Sequence, residues 1–169
     1  MSQICLLDAL CEEDEPALIE LFTSAIGREF LGGVVTPEMA MERAKQWISL
    51  STPEPLWAIR SSKDQAFLGY VSLSDHHDGE DIEVSYELLP QYWGNGYATQ
   101  ALIEALSRAF TDYGLKEVIA ETQSKNYRSI KLLKRVGMVE EGRLIRFGAE
   151  QTIYRWKMSS NQSTLIKQA

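Results

Sequence analysis

From residue 80 to residue 113 the chain passes from alternating apolar and polar residues, through Leu89-Pro90-Gln91-Tyr92-Trp93-Gly94-Asn95-Gly96, into a long helical repeat. This run constrains the fold most, because it joins a strand to a helix through a loop shaped for phosphate. Two glycines one residue apart let backbone N–H groups turn inward with no Cβ in the way. The first turn of the following helix adds N–H groups and a dipole that favour an anion. A phosphate-bearing ligand is the expectation, and a strand-to-helix turn that uses glycine for tightness is the plainer alternative.

Two other phosphate loops do not fit. A Walker A loop places Lys and then Ser or Thr after its second glycine, whereas Tyr97 and Ala98 follow Gly96. A dinucleotide fingerprint needs Gly or Ala where Thr99 stands, although Glu117 lies about the right distance downstream for its acidic residue.

The rest of the chain supplies the frame. Residues 4–7 read as a strand, and residues 13–24 as a helix with Ala17, Leu18, Leu21 and Phe22 on one face, ended by Gly27. Thr36-Pro37 gives a cap and first-turn proline to a second helix that stops before Ser51-Thr52-Pro53. Extended segments at 56–60, 66–74 and 80–89, linked by turn formers, predict an antiparallel meander. The helix over 97–113 gathers Ala98, Leu102, Ala105, Leu106, Ala109 and Phe110 on one face and closes at Gly114. A strand at 116–122, a helix at 126–136 and a hairpin of 138–147 with 152–158 complete the order. One domain over 1–158 and a polar tail at 159–169 are expected, with 44% hydrophobic residues available for a core.

A net charge of −7 argues against general nucleic-acid and anionic-membrane binding; an acidic surface attracts a cationic amine substrate, and solubility explains the charge equally well. Cys5 and Cys11 have no partner at zinc-ligand spacing, and no segment nears the roughly 18 apolar residues that span a bilayer. A cytoplasmic protein is expected. In Asp75-His76-His77-Asp78-Gly79, adjacent histidines on extended backbone would face opposite ways and no third ligand is close in sequence. A solvated turn, with no metal, is therefore expected.

Gln91, Gly94 and Gly96 fill the pattern of Gln or Arg, two residues, Gly, one residue, Gly or Ala. On these residues the loop resembles the pyrophosphate loop of the GNAT superfamily of acyl-CoA-dependent N-acyltransferases. The wider string, Ser85-Tyr86-Glu87-Leu88-Leu89-Pro90 through Trp93-Gly94-Asn95-Gly96-Tyr97-Ala98-Thr99, is similar to the RimJ and RimL branch, with Ser85 where that branch usually has Gly. Asn126-Tyr127-Arg128-Ser129, leading through an apolar helix to Gly137-Met138, resembles the family's second motif. The order of elements matches that fold along nearly the whole chain.

The resemblance implies an α/β fold: a mixed, mostly antiparallel central sheet, splayed at the donor site and flanked by four helices. It implies acetyl-CoA as co-substrate and a primary amine as acceptor, with a protein N-terminal α-amino group favoured, a small amine or polyamine allowed, and a homodimer allowed. A bulge near Leu88 to Pro90 would leave backbone groups free for the pantetheine arm and thioester carbonyl. The implied donor contacts are Leu88, Leu89, Gln91, Trp93, Gly94, Asn95, Gly96, Tyr97, Ala98 and Thr99 on the loop and Asn126 and Ser129 on the later helix; Lys131, on the basic side of that helix, is a candidate for the 3′-phosphate of CoA and equally suits a solvated face. Asn126 also suits a plain helix cap. Arg28, Phe30 and Tyr86 are the candidates for the acceptor side.

The usual family proton donor, a Tyr seven residues past the Asn, is Leu133 here, which leaves Ser129 as the group to meet the leaving sulfur. A CoA thiolate with a pKa of about 8.5 can leave unprotonated. A lysine-like amine costs about 4 kcal/mol to deprotonate near neutral pH, whereas an α-amino group costs well under about 1 kcal/mol. Glu83 matches the Glu that precedes this branch's Gly-Tyr and is the candidate base; Glu87 shares its face, and both also suit a solvated strand face. Leu133 keeps open a second class, a non-catalytic acyl-CoA sensor or scaffold.

Overall fold

Turn chemistry and periodicity place the elements well. The computed structural model describes residues 2–51 and 55–158, so the expected tail at 159–169 and the stop at Thr52-Pro53 lie outside the described residues. In chain order the elements are β1 (Cys5–Asp8), α1 (Glu15–Thr23) entered through a 3₁₀ turn (Glu12–Asp14), α2 (Pro37–Leu50), β2 (Leu56–Ser61), β3 (Phe67–Asp75) and β4 (Ile82–Leu88). A 3₁₀ turn (Pro90–Tyr92) leads to α3 (Tyr97–Thr111), then β5 (Glu117–Gln123), α4 (Tyr127–Arg135), β6 (Val139–Arg146) and β7 (Ala149–Lys157).

The strands form one mixed sheet in the order β1-β2-β3-β4-β5-β7-β6. Its β1–β2, β2–β3, β5–β7 and β6–β7 ladders are antiparallel, and β4 meets β5 in parallel at Glu83↔Ile119. The chain divides into two compact units, one of Ser2–Ser72 with Tyr86–Ala101 and one built mainly from Leu73–Ser85 and the chain from Leu102 onward.

In the first unit, Leu18, Leu21 and Phe22 of α1 and Ala40 and Ala44 of α2 share a core with Leu56, Ala58, Tyr70 and Leu89. Thr36 caps α2 by accepting from the Met39 N–H at 3.3 Å, ahead of Pro37 at the first helical position. Trp47 stands edge-on between Phe22 and Tyr70, with centroids 5.0 and 4.7 Å away.

Gly69 of β3 is a packing requirement. A Cβ there would lie 2.1 Å from the Glu87 carbonyl oxygen and 2.7 Å from Leu88 Cα. Both contacts are backbone, so no rotamer change relieves them. Gly69→Ala is expected to destabilise the protein by about 3 kcal/mol, the upper end for overpacking, read as a lower urea midpoint.

Of the apolar face predicted for the long helix, Leu102, Ala105, Leu106 and Ala109 are buried in the second unit, whereas Ala98 and Phe110 are half-buried. Val118, Ile119 and Ala120 of β5, Leu132 and Leu133 of α4, and Tyr154 and Trp156 of β7 are buried as well. Its last hairpin starts β7 at Ala149, three residues before the expected start. Phe147 and Gly148 make the tight turn, with φ of 53° and 75°. A large aromatic seldom takes that left-handed conformation, so the composition of the turn hides it.

Two of the backbone groups expected to be free near Leu88 are engaged. β4 ends at Leu88, the Leu89 N–H donates to the Leu68 carbonyl at 2.9 Å, and the Leu88 carbonyl accepts from the Trp93 indole at 2.9 Å. Those two backbone groups are engaged, because Pro90 ends the ladder by opening a 3₁₀ turn that brings Trp93 back over the strand.

Candidate active site

Gly94 and Gly96 have φ of 80° and 83°. A Cβ at Gly94 would meet nothing within 4 Å, so this glycine serves backbone conformation and not close packing. Asn95 folds back, its amide donating to the Tyr92 and Trp93 carbonyls at 3.3 and 3.1 Å, which stiffens the exposed loop from within. The first intrahelical bond of α3 runs from the Gln100 N–H to the Gly96 carbonyl at 3.1 Å. The amides of the first helical turn lack intrahelical acceptors by geometry and carry the positive end of the dipole of a 15-residue helix. Tyr97, Ala98 and Thr99 form that turn and are half-buried.

Gln100 adds a function that residue patterns do not signal. Its side-chain oxygen accepts from the Ile4 and Cys5 N–H groups at 2.7 and 2.8 Å, pinning the start of α3 to β1. Leu88 and Leu89 are buried beneath the loop's entry, and Gln91 is exposed with its amide 3.5 Å from Glu20 Oε1.

Within the second unit, Asn126 caps α4: its Oδ1 accepts from the Ser129 N–H at 3.2 Å. Ser129 is half-buried in the first turn and Lys131 is exposed. Leu133, at the position of the usual tyrosine, is fully buried and belongs to the core. Asn126→Ala is expected to cost about 1 kcal/mol in urea denaturation through loss of the cap alone.

The carboxylates of β4 depart from a solvated face. Glu87 is 4% exposed, because Arg28 reaches across to its Oε2 at 3.1 Å. The same guanidinium donates from Nε to the Gly33 carbonyl at 2.7 Å and from Nη2 to the Leu31 carbonyl at 2.8 Å. Arg28, expected on the acceptor side, is therefore itself buried and spent on holding the segment after α1 against β4. Burial pushes the Glu87 carboxyl up to about 7, and the Arg28 charge offsets only part of that. Phe30 and Tyr86 are half-buried in the same unit.

Glu83 is half-buried, and its Oε1 accepts from the Glu121 N–H at 3.3 Å. Burial raises its carboxyl above the ordinary carboxylate value, which suits a proton acceptor. His76 is 1% exposed, so the solvated turn expected for the His-His pair is also corrected. Residues 76–81 form a closed turn, with the Gly79 N–H on the His76 carbonyl and the His76 N–H on the Asp81 carbonyl. That backbone brings the two rings together, with centroids 3.9 Å apart and planes tilted by 46°, where extended backbone would oppose them. His76 Nε2 lies 2.8 Å from Glu121 Oε2 and Nδ1 lies 2.7 Å from Asp78 Oδ1. Burial pulls the His76 imidazole down, but the two carboxylates outweigh it and the net shift is upward.

The chain belongs to the GNAT acetyltransferases: the family model of the acetyltransferase (GNAT) domain matches residues 5–139. It is similar to the uncharacterized N-acetyltransferase YoaA of Bacillus subtilis, 30% identical over 80 residues that make up 47% of this chain and 44% of that protein. The match thus spans less than half the length of that relative. The ribosomal-protein-S5-alanine acetyltransferase of Vibrio fischeri superposes with a TM-score of 0.73 at 17% identity, covering 95% of this chain and 96% of its own. The spermidine N-acetyltransferase of Vibrio cholerae, solved with CoA and spermine, gives 0.73 at 20% identity, covering 91% and 94%. At such identities these likenesses show the fold, an α/β GNAT fold with a mixed seven-stranded sheet and four α-helices. Among the described residues no helix is long and apolar enough to cross a membrane.

Proposed function

We propose that residues 1–158 act as one N-acetyltransferase domain of the RimJ/RimL-like branch, moving the acetyl group of acetyl-CoA to a primary amine, with a protein N-terminal α-amino group as the preferred acceptor. The observation that carries this reading is the exposed loop in which Gly94 and Gly96 both adopt positive φ and open directly on α3, inside the stretch matched by the GNAT domain. A diphosphate fits such amides and needs no metal to be held there.

In this reading the loop amides and Gln91 bind the pyrophosphate, and Lys131 meets the 3′-phosphate. Asn126 combines its capping bond with a contact to the pantetheine arm, and Ser129 serves the sulfur. The CoA found in the V. cholerae structure supports the choice of donor. The amine attacks the thioester carbonyl, a C–N bond forms as the C–S bond breaks, and the sulfur leaves with the electron pair. Glu83 takes the proton the nitrogen loses, directly or through one water; Ser129 donates a hydrogen bond to the departing sulfur.

An α-amino acceptor is favoured because it reaches its neutral form near pH 7 at a cost well under about 1 kcal/mol, so a single half-buried carboxylate suffices as base. The V. fischeri enzyme, described as acting on a protein alanine, supports the same choice; the V. cholerae enzyme supports a polyamine. Thiol release from acetyl-CoA, followed with peptides bearing free N-termini and with polyamines, separates the readings. Stoichiometric acetylation of a peptide α-amino group is the expected result. Turnover on polyamines alone would overturn the acceptor, and donor binding without turnover on either would favour the acyl-CoA sensor.

A further inference from the structure

His76, His77 and Glu121 come together although 45 residues separate His76 from Glu121. One nitrogen from each ring and one carboxylate oxygen lie within 4.8 Å of one another. His76 Nε2 is 2.8 Å and His77 Nε2 is 3.9 Å from Glu121 Oε2. A tetrahedral ion with bonds of about 2.0–2.1 Å needs its ligand atoms about 3.3 Å apart, so the two separations bracket that value. Shifts of about half an ångström would bring those two separations to it.

Two further observations point to a ligand. Glu121 Oε1 is buried and has no hydrogen-bond partner, and the Glu121 side chain is 6% exposed. An orphaned atom of this kind calls for an explanation such as a missing ion. Asp78 Oδ1 also stands 2.7 Å from His76 Nδ1. It is placed as the carboxylate that typically orients a metal-bound imidazole and fixes Nε2 as the ligand atom. The His77 side chain, 42% exposed, leaves an entry path and a coordination position open to solvent.

We propose that His76, His77 and Glu121 form a site for one divalent transition-metal ion of the zinc class, matched to two imidazole nitrogens and one carboxylate oxygen. The ion competes with Arg146, whose Nη1 lies 3.2 Å from Glu121 Oε2 and whose side chain is 23% exposed. Arg146 can turn toward solvent when the ion arrives. The site does not depend on the acetyl-transfer reading.

The test is calorimetric titration of the full chain, freed of metal by a chelator, with zinc chloride, and absorption spectroscopy with cobalt chloride. One equivalent of zinc and a visible cobalt band of a low-coordinate site are expected. His77→Gln and Glu121→Gln should each weaken zinc by at least the roughly 10–100-fold that loss of an outer partner costs. Arg146→Gln should bind more tightly than the parent. No stoichiometric binding by the parent, or parental affinity in His77→Gln, overturns the site; unchanged or weaker affinity in Arg146→Gln overturns the assignment to Glu121. Because the His77 side chain is exposed, its variant reads the site even if Glu121→Gln fails to fold.

Discussion

Arg28→Ala is expected to cost about 3–5 kcal/mol of stability at pH values well above 7, the amount typical of removing one partner from a buried ion pair. Glu87 would be left charged and enclosed, and the carbonyls of Leu31 and Gly33 would lose their donors, so the segment after α1 would come away from β4. The pH dependence is specific. Glu87 stands at about 7 in the folded protein against an ordinary value of 4.5, so the folded state holds the extra proton between those limits. Its contribution is complete below the ordinary value and is lost as pH climbs through about 7, a decline on the order of 3 kcal/mol. Glu87→Gln should flatten that slope while still accepting from Arg28. Arg28→Ala should cost least at low pH, where Glu87 is neutral. Urea denaturation from pH 5 to pH 8 reads both, and a pH-independent cost for Arg28→Ala would contradict the account.

Glu83→Gln is expected to lower kcat by about 10²–10⁴-fold, the range for a lost general base, with donor affinity retained. The reason is its position on β4: half-buried, held by the Glu121 N–H and raised above a free carboxylate by burial. A base whose value is raised becomes active as pH rises through it. The parent should therefore show a rising acid limb in its rate profile, and the variant should lack it. Equal turnover of parent and variant across pH would return Glu83 to the role of an ordinary strand residue.

These two carboxylates show where residue patterns suffice and where they fail. Periodicity predicted β4 and put Glu83 and Glu87 on one face, since that depends only on the alternation of a strand. Nothing local told that this face is covered at Glu87, because the covering group, Arg28, comes from a loop 59 residues earlier. The His-His pair failed for the same reason, with Glu121 arriving from β5. Gly94 and Gly96 were legible because their work is local: the backbone conformation they permit is needed where they stand. Leu133 was legible as a departure from the family pattern, and its full burial shows that this helix position serves the core. Trp93 and Leu68 occupy the Leu88 carbonyl and the Leu89 N–H, backbone groups expected to be free, which composition does not display.

The central claim is that the loop at Gly94–Gly96 binds the diphosphate of acetyl-CoA. Calorimetric titration of acetyl-CoA into the parent and into Gly94→Val tests it most directly. A Cβ there meets no neighbour but the residue cannot easily hold φ at 80°, so the loop changes conformation while the fold keeps its circular dichroism spectrum. The account predicts one equivalent bound by the parent and an affinity weaker by more than about tenfold, or about 1.4 kcal/mol, in the variant. No saturable binding by the parent, or the same dissociation constant in both, would contradict it.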